Sequence, residues 1–306
     1  MARKTGFVAI AGRPNAGKST LLNHVLGTQL SIVTPKAQTT REKVLGILTE
    51  KQGQIVFMDT PGIHRAREGG INASMMQEAR DALDQPSAVW YLVDPRSKLH
   101  HEEIVLDLLK DARAPVFVLF NKVDMRDGVT SKESLDEAEA AIRARMSELK
   151  IPVQSVLRVS ALKGIGIKPL LAETWKLMPE GPLYYPDEEQ LSDRPTRFFV
   201  AEKVREQLFL QLGEEIPYSC AVEIEKFDES AKPIRIEAVI HVERDSQKGM
   251  VIGKGATKIK SIGQSARMQI EKFLGEKVFL GLQVKVLKDW TRDADTLRRM
   301  GYNLPK

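Results

Sequence analysis

The stretch that most restricts this 306-residue chain is GRPNAGKST, residues 12–20, set between the apolar run FVAIA and the helical pattern TLLNHVLG. It satisfies G-x-x-x-x-G-K-[ST] at Gly12, Gly17, Lys18 and Ser19. Between a strand and a helix, this pattern makes a turn whose backbone N–H groups wrap phosphate oxygens. Lys18 is then placed to reach the β and γ oxygens of a nucleotide, and Ser19 to offer its hydroxyl to Mg2+. Such a turn predicts an α/β fold with its ligand at the C-terminal ends of the strands.

The rest of the first half keeps that rhythm. FVAIAG, QIVFMD, AVWYLVD, PVFVLFN and VQSVLRVS are short apolar runs, each closed by a polar or glycine residue. Near-continuous apolar runs are what a parallel sheet buried on both faces requires. Helical patterns such as SKESLDEAEAAIRARMSEL lie between them. The expected class is therefore α/β, with a mostly parallel sheet.

Three further motifs fall at strand ends. DTPG, residues 59–62, closes QIVFM. Asp59 there supports the Mg2+ shell, and Gly62 presents its N–H to the γ-phosphate. NKVD, residues 121–124, closes PVFVLF and selects the base. The Asp124 carboxylate accepts from both N1–H and the 2-amino group of guanine. Adenine would leave it facing a lone pair, a buried unpaired acceptor. Asn121 and Lys122 are expected to tie this loop to the base and to the phosphate loop. SALKG, residues 160–164, then places the Ala161 N–H toward guanine O6, flanked by Ser160 and Leu162. Asn15, Ala16 and Thr20 complete the phosphate-loop side of the expected GTP/GDP site.

At residue 179 the texture changes. PEGPLYYPDEEQLSDRP has prolines at 179, 182, 186 and 195 and no apolar period, so it reads as a linker. The expected organisation is one domain over 1–178, a Pro-rich linker over 179–195 and a second domain over 196–306. In the second domain the strands alternate. SCAVEIE sets Cys220, Val222 and Ile224 on one face; PIRIEAVIHV sets Ile234, Ile236, Ala238, Ile240 and Val242; KVFLGLQVKV sets Val278, Leu280, Leu282, Val284 and Val286. Helical patterns cover roughly Thr196 to Leu212 and a stripe of Ile259, Ile262, Ala266, Ile270 and Phe273. This is a small α+β domain whose sheet has one dry face.

Charge distribution separates the halves. From residue 196 onward there are 20 Lys+Arg and 16 Asp+Glu, and Ser246 to Ile270 holds five basic residues and no acidic one. A local basic stripe suits an anionic partner. Within it lies VIGKGATKIKSIG, residues 251–263, a second glycine turn dense in lysine. The single cysteine, Cys220, sits in an alternating run and reads as a buried, inert thiol. It leaves no disulfide partner within the chain and fits a reducing cytoplasm. No transmembrane run or signal peptide is visible.

The four nucleotide motifs resemble those of the Ras-like P-loop GTPases over roughly residues 5–178. The resemblance implies a switch segment with a metal-binding Thr in AQTTREK, Thr40 with Thr39 as the alternative. It makes Lys18, Thr40 and Gly62 the catalytic candidates and Ser19, Thr40 and Asp59 the Mg2+ set. Ile63 follows DTPG where Ras-like enzymes place the Gln that orients water, so intrinsic hydrolysis is expected to be slow. Asn15 then resembles the residue that holds K+ in the branch with a hydrophobic residue at this position. His64 reads as a spectator.

Val251-Ile252-Gly253-Lys254-Gly255-Ala256 resembles the V-I-G-x-x-G signature of K-homology domains, with the strand before it and the helix of Ile259 after it. In those domains the turn clamps the backbone of about four single-stranded nucleotides. Lys248, Lys254, Lys258 and Lys260 supply charge, and Ile252 and Ile259 groove floor. Ala256 stands where the signature has its final Gly; a methyl is tolerable there if the residue is already helical. The order helix–strand–strand–helix–helix–strand resembles the type II domain common in bacteria.

Over nearly its full length the chain is similar to the Era family. The matching stretches include PKAQTTRE, LYYPDEEQLSDRPTRFFVAEKVREQL, EEIPYS and DWTRDADTLRRMGY. That resemblance implies a GTPase switch that binds 16S ribosomal RNA near its 3′ end and assists maturation of the small ribosomal subunit. It also implies peripheral association with the cytoplasmic face of the inner membrane, and a monomer is expected. A membrane-surface or protein-signalling GTPase using the basic patch is the runner-up. An RNA-modifying enzyme has no catalytic Cys, metal cluster or methyl-donor motif to support it.

Overall fold

The computed structural model describes residues 3–64, 70–125, 132–213 and 215–304. The chain divides into two compact units. One takes in the residues up to Ser31 together with Thr40–Asp193; the other is Ile32–Thr39 with Arg194–Leu304.

The first unit runs β1 (Lys4–Gly12), α1 (Lys18–Leu26), β2 (Val44–Glu50), β3 (Gly53–Asp59), α2 (Gly70–Ala82), β4 (Ala88–Val93), α3 (Leu99–Leu109), β5 (Val116–Phe120), α4 (Lys132–Glu148), β6 (Val153–Arg158) and α5 (Ile167–Leu177). Its sheet has the order β2-β3-β1-β4-β5-β6. From β3 to β6 all neighbours pair in parallel, whereas β2 is antiparallel to β3. The apolar runs form these strands because both faces are covered. In β4, Val89, Tyr91 and Val93 enter one core while Ala88, Trp90 and Leu92 enter the other. A single polar substitution at such a position has no solvent-facing side to turn to.

Strand β2 was not among the expected strands. Its sequence, VLGILTE, carries a glycine and a polar end, and it holds its place by pairing with β3 from Val44↔Asp59 to Glu50↔Gly53. The proline-rich stretch after α5 has neither helix nor paired strand beyond an isolated bridge, Lys4↔Glu180. It is nonetheless fastened to the first unit. Tyr185 exchanges two 3.0 Å hydrogen bonds with the Gln54 side chain. Leu191 O accepts from Ile47 N at 2.9 Å, and Ser192 Oγ donates to Leu45 O at 2.6 Å.

The second unit contains α6 (Thr196–Gln211), β7 (Ala221–Asp228), β8 (Ile234–Val242), α7 (Asp245–Ile252), α8 (Thr257–Leu274), β9 (Val278–Val286) and α9 (Ala294–Arg299). Its sheet is β7-β8-β9, with β8 and β9 parallel. The dry face is the expected one: Ile236, Ile240 and Val242 pack with Val200, Val204 and Leu208 of α6 and with Ile262, Ala266 and Ile270 of α8. Each fully buried Ile contributes about 1.5–3 kcal/mol. Cys220 is buried, and its Sγ donates to Ile216 O at 3.1 Å. The Ile32–Thr39 segment belongs here through Lys36 Nζ, which donates to Leu212 O at 2.6 Å, and Arg205 Nη2, which donates to Thr39 O at 2.5 Å.

Candidate nucleotide and nucleic-acid sites

In the first unit, β1 ends at Gly12 and α1 begins at Lys18, so the phosphate-loop motif forms the turn between them. Lys18 is buried, and its Nζ donates to the carbonyls of Gly12 and Arg13, both at 3.0 Å. Burial lowers its pKa to about 8, partly opposed by the charges of Asp59 and Glu102. Near pH 8 such a lysine is half-discharged without an anion, and an arriving phosphate would favour its protonated form.

Ser19 Oγ donates to Asp59 Oδ2 at 2.8 Å and lies 3.1 Å from Thr40 Oγ1. Three oxygens from distant parts of the chain thus meet at one point. Asp59 is wholly buried at the end of β3, and its other oxygen, Oδ1, has no hydrogen-bond partner among the described residues. Burial raises its pKa, with Lys18 and Ser19 opposing. One carboxylate and two hydroxyls fit Mg2+, a hard cation that takes few protein ligands and keeps waters and substrate phosphates for the rest. Among the described residues there is no cluster of three or more His, Cys, Asp or Glu side chains that could hold a metal.

The turn after Asp59 is locked to β1. Thr60 Oγ1 donates to Ile10 O at 2.8 Å, and Ile63 N donates to Gly12 O at 3.1 Å. A Cβ at Gly62 would stand 2.7 Å from Pro14 Cα, so only glycine lets this turn approach the phosphate loop. Ile63 is fully buried in the core. The half-buried His64 bonds through Nδ1 to Gly62 O at 2.9 Å.

At the other end, Asn121 is buried after β5. Its Nδ2 donates to Ala16 O at 2.7 Å, which ties NKVD to the phosphate loop as expected. Ser160 Oγ donates to Asp124 Oδ1 at 2.5 Å and fixes that carboxylate. Two groups at this end take partners within the chain. The Ala161 N–H already donates to Asn121 Oδ1 at 2.9 Å, because the Asn side chain reaches across to the next loop. The Leu162 side chain at the same turn is 68% exposed. Lys122 does not reach the phosphate loop: its Nζ pairs with Asp94 Oδ2 at 2.8 Å, in a left-handed backbone (φ 70) that aims the side chain toward β4.

Sequence reasoning gave Asp94 no role. It ends AVWYLVD, and that position after a strand was the available signal. Partial burial would raise its pKa, but hydrogen bonds from Arg96 and Lys122 bring it down to about 2. Asn15 is exposed with φ 62, and Thr20 and Thr40 are half-buried.

In the second unit, Gly253–Ala256 joins α7 to α8. The expectation that a strand leads directly into this turn is corrected: α7 intervenes, with Val251 and Ile252 in its last turn. Gly253, Gly255 and Ala256 have φ of 71°, 60° and 60°. Ala256 is therefore left-handed rather than helical, the conformation for which the signature keeps a glycine. Val251 is wholly buried in the core, so it supports the turn and cannot touch a ligand in this conformation. Lys254 and Lys260 are exposed; Lys248, Lys258, Ile252 and Ile259 are half-buried. Ile259 and Lys260 line a groove of ≈ 390 Å3 together with Gly263, Gln264, Arg267, Leu280 and Leu282. The last five were missed. Arg267 stood inside the basic window, whereas Leu280 and Leu282 had been read only as core.

A phosphate-loop site at the strand ends of a parallel sheet, with a type II K-homology domain in the same chain, defines a GTPase that carries its own nucleic-acid-binding module. Family models agree: residues 7–122 match the 50S ribosome-binding GTPase model and residues 215–291 the KH domain. The chain is 41% identical over 305 residues to GTPase Era of Carboxydothermus hydrogenoformans, covering 99% of each. It is 43% identical over 302 residues to GTPase Era of Geobacter metallireducens, covering 98% of each. It belongs to the Era family of GTPases. A crystal structure of an Aquifex aeolicus Era variant bound to GDP·AlF4− matches it with TM-score 0.89 at 36% identity, over 98% of this chain and all of that one. The structure of Era in complex with MgGDPNP and nucleotides 1506–1542 of 16S ribosomal RNA also gives 0.89 at 36% identity, over 99% and 100%.

Proposed function

We propose that this Era-family GTPase is a switch that binds and hydrolyses GTP and grips the 3′ end of 16S ribosomal RNA during maturation of the small subunit. The working division is a GTPase domain over 1–178, a connection over 179–195 and a K-homology domain over 196–306. Lys18 binds the β and γ oxygens. Ser19, Thr40 and Asp59 hold Mg2+, which when bound bridges phosphate oxygens and neutralises developing charge. The Gly62 N–H meets the γ-phosphate. Asp124, fixed by Ser160, reads guanine, and the Ser160–Leu162 turn meets O6 through its backbone, with Ala161 as the donor. Ile63 is buried and cannot orient water, so unaided turnover is slow.

The RNA reading rests on the lysine-bearing Gly253–Ala256 turn and the adjoining apolar groove. The turn binds sugar-phosphate, and bases lie along Ile259, Leu280 and Leu282 with Arg267 at hand. Ile32–Thr39, just before Thr40, belongs to the K-homology unit. Ordering of Thr40 by nucleotide is thereby transmitted to that unit, coupling nucleotide state to RNA affinity.

The observation that carries the proposal is the meeting of Ser19, Thr40 and Asp59 at one point. We place the activity in the cytoplasm; among the described residues no helix is long and apolar enough to cross a membrane. The test uses the full chain and an RNA corresponding to nucleotides 1506–1542 of 16S RNA, with anionic vesicles as a second arm. RNA binding that is tighter with a GTP analogue than with GDP is expected. Equal affinity in both states, or binding to vesicles alone, overturns it.

A further inference from the structure

The pairing of Lys122 with Asp94 joins the base-reading turn to the neighbouring strand, and none of the nucleotide motifs calls for it. Asp94 directly follows β4, and Lys122 lies just beyond β5, which pairs in parallel with β4. Lys122 Nζ donates to Asp94 Oδ2 at 2.8 Å. The same oxygen accepts from Arg96 Nη2 at 2.6 Å. Asp94 Oδ1 accepts from Arg96 Nε at 2.9 Å and from the Arg96 backbone N–H at 3.1 Å. Both carboxylate oxygens are therefore engaged, and two cations meet one negative charge. The Asp94 and Lys122 side chains are only 19% and 24% exposed, so the pair is better shielded than an open surface salt bridge.

The turn that this pair supports is the one that carries Asp124. Backbone bonds pin it on either side of Lys122: the Asn121 N–H donates to Val93 O at 2.9 Å, and the Val123 N–H to Val159 O at 3.3 Å. Between those two pins Lys122 has φ 70, a left-handed conformation that disfavours any residue with a Cβ. Such a conformation persists only where its surroundings over-determine it. The bond to Asp94 does so by fixing the far end of the Lys122 side chain. Asp124 follows two residues later, so the direction of its carboxylate depends on the backbone that Lys122 adopts.

We propose that Asp94, acting through Lys122, is a positioning residue for guanine recognition: it holds the left-handed backbone at Lys122 and so aims the Asp124 carboxylate before nucleotide arrives. Preorganisation of this kind strengthens binding by removing an ordering cost from the complex. The effect falls on affinity for guanine nucleotides and on their preference over adenine nucleotides, rather than on the hydrolytic step. The inference rests on the reading of Asp124 as the guanine-selecting carboxylate.

The experiment is a double-mutant cycle on the full chain, reading GDP and ADP affinity in the presence of Mg2+. Asp94→Asn, which keeps the shape and removes the charge, is expected to raise the Kd for GDP about tenfold and that for ADP far less. In a Lys122→Met background the same substitution is expected to cost nothing further, because the link is already broken. Fully additive losses overturn the proposal. So does equal weakening of GDP and ADP, or a lowered melting temperature with unchanged Kd, the outcome of a purely structural role. Tighter GDP binding also overturns it, since Asp94 would then be drawing Lys122 away from the nucleotide. If Asp94→Asn does not fold, Arg96→Ala at the exposed side loosens the same carboxylate and is expected to weaken GDP more than ADP; unchanged affinities there overturn the proposal. Asp124→Asn separates the two levels: an unchanged preference for GTP over ATP sinks the guanine reading itself, whereas loss there without loss in the Asp94 variant sinks only the inference.

Discussion

Ser19 and Asp59, separated by 40 positions in the chain, share a 2.8 Å hydrogen bond that joins the start of α1 to the end of β3. The relationship turns two motifs into one metal-facing site. Replacing Asp59 with Asn keeps the shape and removes the charge. We expect Asp59→Asn to lose about 10- to 100-fold of the Mg2+-dependent part of GTP affinity, the usual effect of losing a supporting metal contact. Affinity in EDTA should change far less. Comparing Kd with and without Mg2+ checks this.

Lys18 makes the nucleotide-free protein sensitive to pH. Its folded pKa, about 8, lies below lysine's ordinary value of 10.5. The unfolded chain therefore binds more protons between these values, and stability of the free protein rises with pH across that window. Lys18→Met should flatten the rise. Bound phosphate favours the charged amine, so GDP binding near pH 8–9 should take up a proton. Calorimetry in buffers of different ionisation enthalpy measures the uptake.

Asp124 and Ser160 share a 2.5 Å hydrogen bond that fixes the carboxylate at the end of NKVD. Asp124→Asn should abolish most of a preference for GTP over ATP that sites of this type hold at about 10⁴–10⁵-fold. Ser160→Ala should cost about tenfold in GTP affinity, the scale of one hydrogen bond to a charged group. Competition binding with both nucleotides reads each effect.

Ala256 carries a left-handed backbone that disfavours a side chain. Ala256→Gly should stabilise the protein by about 1 kcal/mol, seen as a higher melting temperature, with RNA binding undiminished. Lys254→Ala should instead leave stability unchanged and reduce the salt dependence of RNA binding, by about 0.7 in the log–log slope if the lysine meets one phosphate.

Asn15 projects, exposed, from the phosphate loop. If it holds K+ where other GTPases use an arginine, turnover should be faster in KCl than in NaCl, and Asn15→Ala should erase the difference. Equal rates for the unsubstituted protein in the two salts remove potassium from the mechanism.

Much of this protein was readable before any coordinates. Phosphate wrapping, Mg2+ support and guanine selection each reside in four to nine contiguous residues that close an apolar run. The period of those runs fixes sheet class, and the period-two strands fix the dry face packed by Ile236, Ile240 and Ile262. Local sequence suffices there because the chemistry and the element are encoded in the same short stretch.

Tertiary structure alone decided which partner each side chain takes. Lys122 turns to Asp94, Asn121 captures the Ala161 amide, Val251 withdraws into the core and Leu280 comes forward into a groove. Glu102 meets Tyr91, and Ile32–Thr39 joins the K-homology unit. These pairings depend on strand order, helix rotation and backbone handedness, which bring together residues far apart in the chain. Hydrophobic period says which side of an element is dry, but not what will be standing opposite it.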